Sequence, residues 1–226
     1  HSKEKTIQVI RRIFPLHRGI FEDKVGNVWC SLSLVFKIHQ RMRKEELLPI
    51  CAITTLLGCV PFCFAILRNP KPIVLLQASA GCSLSFYLFS YHVHEKQVLL
   101  PLAAFVLLAP TYPILSHWMV MISGFSMYPL LRKEHLSLPY FCLHIMYLTL
   151  VSTVPTRQER LHSQRMPLLF QSSLIGCLLV HCASAFGPKL DRLPDLYTYF
   201  FTVYSCANFL LLYFLIYRAI KETSAS

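Results

Sequence analysis

Eleven carboxylates are the whole stock of side-chain acid in this 226-residue chain, so every residue able to act as a general base, or to orient one, can be inspected in turn. Glu4 and Glu222 lie toward the ends, and Glu45, Glu46, Glu134 and Glu159 stand in polar stretches beside Lys or Arg, where solvated charge is the ordinary reading. Asp191 and Asp195 flank a turn, GPKLDRLPD, and Asp195 precedes an apolar run as a helix N-cap would. Glu22, Asp23 and Glu95 remain. Glu95 sits in His92-Val93-His94-Glu95-Lys96, the one polar interruption between two apolar segments. Imidazole and ammonium groups at this spacing can meet a phosphate while the carboxylate orients one of them or takes a proton. The alternative is an interfacial turn whose charges meet water. Neither an HExxH motif nor a nearby cysteine accompanies His92 and His94, so no metal site is expected. The second cluster is RRIFPLHRGIFEDKVGNVWC, in which Arg11, Arg12, Arg18 and Lys24 surround Glu22 and Asp23 with aromatics between them. Residues 1–24 thus read as an amphipathic segment lying along lipid headgroups and able to contact an anionic phosphate; a connector with no ligand would have the same composition.

The elements that must hold these clusters are written in the placement of charge. Asp, Glu, Lys and Arg make up 15% of the chain, against about a quarter in soluble domains. Between Glu46 and Arg68 lie 21 residues without any of them, and similar gaps run over 72–91, 97–131, 136–156, 166–188 and 196–217. About 20 apolar residues suffice for a helix to cross the hydrocarbon core. The expected fold is therefore all-α, a polytopic transmembrane bundle of seven or eight membrane segments over 25–226. Its helices are expected at 25–36, 47–67, 73–91, 98–111, 114–131, 137–154, 168–187 and 196–217, with Pro110 and Pro113 dividing the fourth from the fifth. A formal charge of +11 in such a chain is loop charge at a membrane surface, not a nucleic-acid footprint. All nine cysteines fall in apolar stretches, and Cys59 and Cys63 are expected to be buried packing thiols. His144 and His181 fall inside apolar helices, where neighbouring groups are expected to satisfy them. No Walker loop, G-x-S-x-G elbow or Rossmann fingerprint is present.

Whether 25–36 crosses is undecided at this level. If all eight segments cross, 13 Lys and Arg share a side with the C-terminal tail and 9 lie opposite; otherwise the numbers are 7 and 15. Positive-inside bias with a cytoplasmic tail favours crossing. Twelve residues, however, rise only about 18 Å against a core of about 30 Å.

The two clusters also carry a resemblance. RIFPLHRGIFEDKVGNVWC and LSFYLFSYHVHEKQVLLPL, with FSMYPLLRKE and LPDLYTYFFTVYSCANFLLLYFLIY, resemble segments of the endoplasmic-reticulum dolichyl-phosphate-glucose-dependent α-1,3-glucosyltransferases, members of the GT-C superfamily. The match at Gly19 to Val25 is to the branch that adds the first glucose to the lipid-linked oligosaccharide, and the sister branch adding the second is the alternative. Gly26 stands where that family usually has Ala, and Tyr91-His92 where Phe-Gln is more common.

The resemblance implies a multi-pass protein of the endoplasmic-reticulum membrane. Its donor would be dolichyl phosphate glucose, its acceptor the nine-mannose oligosaccharide on dolichyl diphosphate, and the transfer would invert, a β-linked glucosyl phosphate giving an α-1,3 product. No cofactor is implied. The family's catalytic base generally lies in a first lumenal loop to which nothing here corresponds, so the chain resembles the C-terminal part of the fold. On this reading Glu95, His94 and Glu22 are the catalytic candidates, and Lys96, His92, Arg18, Asp23 and Lys24 bind substrate on the lumenal side. A transporter using His92, His94 and Glu95 as a proton relay, or a lipid-binding scaffold, are the competing classes.

Overall fold

The computed structural model describes residues 24–153, 165–188 and 195–225. Among these residues there are nine α-helices, one 3-10 turn and no strand. The helices are α1 (Val28–Phe36), α2 (Ile38–Arg41), α3 (Lys44–Arg68), α4 (Pro72–Phe89), α5 (Leu99–Leu107), α6 (Pro113–Lys133), α7 (Ser137–Thr153), α8 (Arg165–Phe186) and α9 (Leu196–Ala225), with the 3-10 turn at Glu95–Val98. Each of the eight apolar segments expected from the charge gaps contains a helix. Five helices, α3, α4, α6, α8 and α9, are long and apolar enough to cross a membrane, and α7 is a shorter apolar helix. Three helix ends move outward by three residues or more from their expected limits. α3 starts at Lys44, and Glu45 and Glu46 in its first turn complement the helix dipole. α8 starts at Arg165, and α9 runs to Ala225, where Arg218 and Glu222 pair at i, i+4 with Nε to Oε1 at 2.9 Å.

Polar contacts fix which ends of the helices share a face. Gln77, near the start of α4, donates from Nε2 to the Tyr112 hydroxyl at 2.8 Å and to the Thr223 hydroxyl at 3.0 Å. This ties the α5–α6 turn and the end of α9 to the α3–α4 turn, giving one face of the bundle. The opposite face gathers the start of α3, the 90–98 loop, the α6–α7 turn and the start of α9. There the Arg132 guanidinium donates to the Ser184 hydroxyl at 3.0 Å, joining the ends of α6 and α8. The chain reverses at 108–112, where Ser116 Oγ donates to the carbonyls of Phe105 at 2.6 Å and Tyr112 at 3.1 Å. A hydroxyl supplied by α6 thereby meets a backbone acceptor at the end of α5, the condition for a broken helix in an apolar medium.

The undecided crossing is resolved in the same way. Trp29 Nε1 donates to the Phe89 carbonyl at 2.7 Å, at the end of α4. Trp29 also packs with Leu47, Cys51 and Tyr91, and with Ile38 and Met42 beyond α1. Lys24, before α1, pairs with Asp195 at the head of α9. Both ends of α1 therefore lie on the face of the 90–98 loop, and its nine residues, rising about 14 Å, do not cross. A cysteine placed at Lys24 or Lys96 should accordingly react with a membrane-impermeant maleimide from one side of sealed vesicles, and one placed at Lys71 from the other. Labelling of Lys24→Cys together with Lys71→Cys would refute the shared face.

The core lies between α4, α6 and α9, where Leu84, Trp118, Ile122, Phe209 and Leu212 are inaccessible to solvent. Trp118 Nε1 donates to Ser173 Oγ and Asn208 Oδ1, both at 3.0 Å, and Ser173 Oγ donates to Asn208 Oδ1 at 2.5 Å, so α6, α8 and α9 meet at one polar knot. The two mid-helix histidines pack in the bundle: the His144 ring fills the space a side chain at Gly124 would need, and His181 Nε2 lies 3.0 Å from the Tyr140 hydroxyl, but His181 Nδ1 is buried without a hydrogen-bond partner, so neighbours satisfy that ring only in part. Cys59 is buried, but Cys63 is exposed, one turn on, and is not the packing thiol expected. The 100° step per residue turns a position four residues later by about 40°, so Cys63 stays near Cys82 of α4, as Cys59 does, but at the exposed edge of the shared face.

Candidate active site

The 90–98 loop is plugged into the bundle by its apolar members. Tyr91, Val93 and Val98 are buried, whereas His94 and Lys96 are exposed and His92 and Glu95 are half-buried. Alternation of Val93 and Glu95 with His94 and Lys96 is what an extended-then-turning segment needs to anchor every second side chain. The His94 backbone N–H donates to Gln97 Oε1 at 3.1 Å, and the Gln97 N–H donates to the His94 carbonyl at 3.0 Å, closing the 3-10 turn. Because the turn also packs against α4 and α6, Glu95 is presented from a fixed backbone at the membrane face.

Of the charged residues in the second cluster, only Lys24 falls within the described residues; Arg18, Glu22 and Asp23 lie outside them, as does the rest of the 1–24 segment. The Lys24 ammonium is engaged by the Asp195 carboxylate and lies 4.8 Å from the centroid of the Tyr199 ring. Its carbonyl accepts from the Thr202 hydroxyl at 3.2 Å. Asn27 then caps α1, its side chain accepting from the Cys30 N–H at 2.8 Å.

Tyr87, near the end of α4, links the two clusters. Its hydroxyl would stand 3.6 Å from a Cβ at Gly26 and its ring packs edge-on against Phe209 at 5.2 Å, while two residues on, the Phe89 carbonyl takes the Trp29 indole N–H just ahead of the 90–98 loop. The two sequence clusters, about seventy residues apart, thus converge on one side of the bundle. Asp195 was expected to act as an N-cap; it does precede α9, but its carboxylate goes to Lys24. Sequence reasoning missed this pairing because the two residues are 171 positions apart, and missed Tyr199 and Thr202, which no charge or motif marks.

Gly26 is also explained by position. A Cβ there would lie 2.8 Å from Ser205 Cβ and 3.4 Å from Phe209 Cε2, so the backbone rests directly on α9. Gly26→Ala should destabilise the bundle by about 1–3 kcal/mol through overpacking. In a double-mutant cycle with Ser205→Gly the two changes should couple favourably, read as thermal unfolding in detergent. Strict additivity would show that the contact exerts no strain.

The family model described as the ALG6, ALG8 glycosyltransferase family matches residues 1–216. The chain belongs to that family. Within it, the chain is 33% identical over 239 residues to the dolichyl pyrophosphate Man9GlcNAc2 alpha-1,3-glucosyltransferase of Rattus norvegicus, covering 96% of this chain and 47% of the relative. The protein of the same name from Gallus gallus is 33% identical over 239 residues, covering 95% and 46%. That from Saccharomyces cerevisiae is 40% identical over 137 residues, covering 59% of this chain and 25% of the relative. This ALG6, ALG8 family chain spans slightly less than half the length of the animal relatives it matches.

Proposed function

We propose that the protein carrying this chain transfers glucose from dolichyl phosphate glucose to the Man9GlcNAc2 oligosaccharide on dolichyl diphosphate, forming an α-1,3 linkage with inversion, in the endoplasmic-reticulum membrane. The relatives are named for that acceptor. The observation that carries the reading is the convergence of Lys24, Gly26, Tyr87 and the loop that bears the His94-Glu95-Lys96 turn on one face. On that face, which the reading makes lumenal, a lipid phosphate at headgroup depth meets imidazole and ammonium groups of the 92–96 turn. His94 and Lys96, with His92 beside them, stabilise the phosphate charge that develops as the dolichyl phosphate departs, and Glu95 orients them or the base. Arg18, Glu22 and Asp23 contribute charge from the sequence that precedes Lys24.

The basic residues of this face then serve a lipid ligand rather than orientation, which is why a simple positive-inside count points the other way. The test is reconstitution of the full-length protein in liposomes with dolichyl phosphate glucose and the Man9GlcNAc2 lipid. One glucose should be added per acceptor. Transfer only to an acceptor that already bears one glucose would assign the protein to the sister activity, and no transfer to either would remove the function.

A further inference from the structure

We propose that the elbow between α1 and α3 is a second lipid-phosphate subsite, which takes the diphosphate of the polyprenyl-linked acceptor through Lys37, Arg41 and Arg43. That the diphosphate is the acceptor's rests on the glucosyltransferase reading; the cationic surface itself does not. The stretch 37–46, KIHQRMRKEE, holds four Lys and Arg against two Glu, and the chemistry assigned to the 92–96 turn leaves it without a task. Ile38 and Met42, four residues apart, pack inward on the cluster of Trp29, Leu47, Cys51 and Tyr91. Lys37 and Arg41, each one residue earlier, share the adjoining stripe of the single turn α2 and are exposed. Met42 and Arg43 have extended backbone, so the side chain after the inward Met42 turns outward, and Arg43 is exposed as well. The ion pairs among the described residues are Lys24–Asp195 and Arg218–Glu222, so no described carboxylate takes these three cations. Of the two glutamates beside them, Glu46 uses Oε2 to accept the Arg43 backbone N–H at 3.1 Å, and Glu45 is exposed. Lys37 has φ 47° and ψ 47°, the left-handed conformation that a helix C-terminus ordinarily gives to Gly. A cation stands where the backbone alone would favour no side chain.

Placement selects the ligand. Tyr91 belongs to the same cluster as Ile38 and Met42 and leads directly into the 92–96 turn, so elbow and turn stand side by side on one face. α1 buries Trp29 and Ser33 and exposes Leu32 and Phe36, an apolar stripe that runs up to Lys37. Cations adjoining exposed apolar side chains fit a ligand whose charge is joined to an apolar chain, at headgroup depth. Under the proposed function two such ligands meet on this face, a phosphate diester and a diphosphate diester. The diphosphate carries one more negative charge and more acceptor oxygens, and two guanidinium forks with an ammonium match it better than the imidazole and ammonium of the turn. The elbow therefore takes the acceptor and the turn the donor.

The probes are farnesyl diphosphate and farnesyl phosphate, titrated calorimetrically into the full-length protein held in phosphatidylcholine nanodiscs. Arg41→Gln with Arg43→Gln should weaken farnesyl diphosphate binding by about 10-fold or more and farnesyl phosphate binding by less than about 3-fold. Lys37→Gly should weaken the diphosphate several-fold while thermal unfolding stays level or rises, since Gly suits that backbone conformation. In glucose transfer, the double variant should raise the acceptor KM by about 10-fold and leave donor KM and kcat within about 2-fold. Unchanged farnesyl diphosphate affinity in either variant, or equal loss for the two probes, overturns the proposal. Displacement of farnesyl diphosphate by phosphatidylserine in the disc would hand the elbow to bulk anionic lipid, and equally strong competition by inorganic diphosphate would make it a soluble-anion site; either result overturns it as well. Selective loss of diphosphate binding in a protein that transfers no glucose supports the subsite and removes only the function reading.

Discussion

Replacing Glu95 by Gln should lower glucose transfer by about 10²-fold or more, the range in which positioned acid or base groups contribute, while leaving the amount of folded protein unchanged. The substitution is nearly isosteric, and the backbone that holds it is pinned independently of its charge, by Val93 and Val98 in the core and by the Gln97–His94 closure. What disappears is a negative charge in a half-buried position at the face where, under the proposed function, a phosphate gains charge and a hydroxyl loses a proton. If Glu95 acts on the transition state, kcat falls and the donor KM is little altered. Lys96→Ala, which removes an exposed cation able to meet the ground-state phosphate, should instead raise donor KM, with a smaller loss of kcat. The comparison separates the two roles within one turn. Transfer by Glu95→Gln within about twofold of the parent would remove Glu95 from the site.

The architecture around that turn was legible in the sequence wherever one physical constraint acted alone. A helix that contacts lipid cannot carry many charges, so the gaps from Glu46 to Arg68 and from 196 to 217 mark α3 and α9, and the two prolines at 110 and 113 mark the reversal after α5. Legibility ended where a distant contact decides between alternatives that have the same composition. The segment 25–36 is apolar enough for a span, yet Trp29 spends its indole N–H on the Phe89 carbonyl, sixty residues away, and the helix stays on one face. The site divides along the same line. His94, Glu95 and Lys96 stand out as a polar island between apolar runs, whereas Asp195, Tyr199 and Thr202 are individually ordinary and acquire meaning only when α9 is folded against Lys24. Cys63 shows a smaller error: the four-residue spacing does place both thiols of α3 near Cys82 of α4, but Cys63 lies at the edge of that face and is exposed.

The largest effect on the bundle itself is expected at Trp118. Trp118→Ala should cost about 3–5 kcal/mol, because it empties a fully enclosed indole-sized volume between α6, α8 and α9 that surrounding helices can refill only in part. Two polar partners are stranded as well: Ser173 Oγ and Asn208 Oδ1 both accept the indole N–H, although the bond between them and the one from Asn208 Nδ2 to the Tyr204 carbonyl at 2.9 Å survive. Trp118→Phe isolates the polar share, since it keeps most of the volume and removes only the N–H. Interhelical hydrogen bonds in membranes average about 0.6 kcal/mol, so this variant should lose roughly 1 kcal/mol or less beyond its small cavity. The ratio is what matters, because it decides whether the three helices are held by shape or by the knot. A bundle held by shape gives an alanine loss several times that of phenylalanine, read as thermal unfolding in detergent. Equal losses in the two variants would make the polar knot dominant, and the site face, which stands on the same α6–α9 contact, would then depend on the Ser173–Asn208 bond as well as on packing.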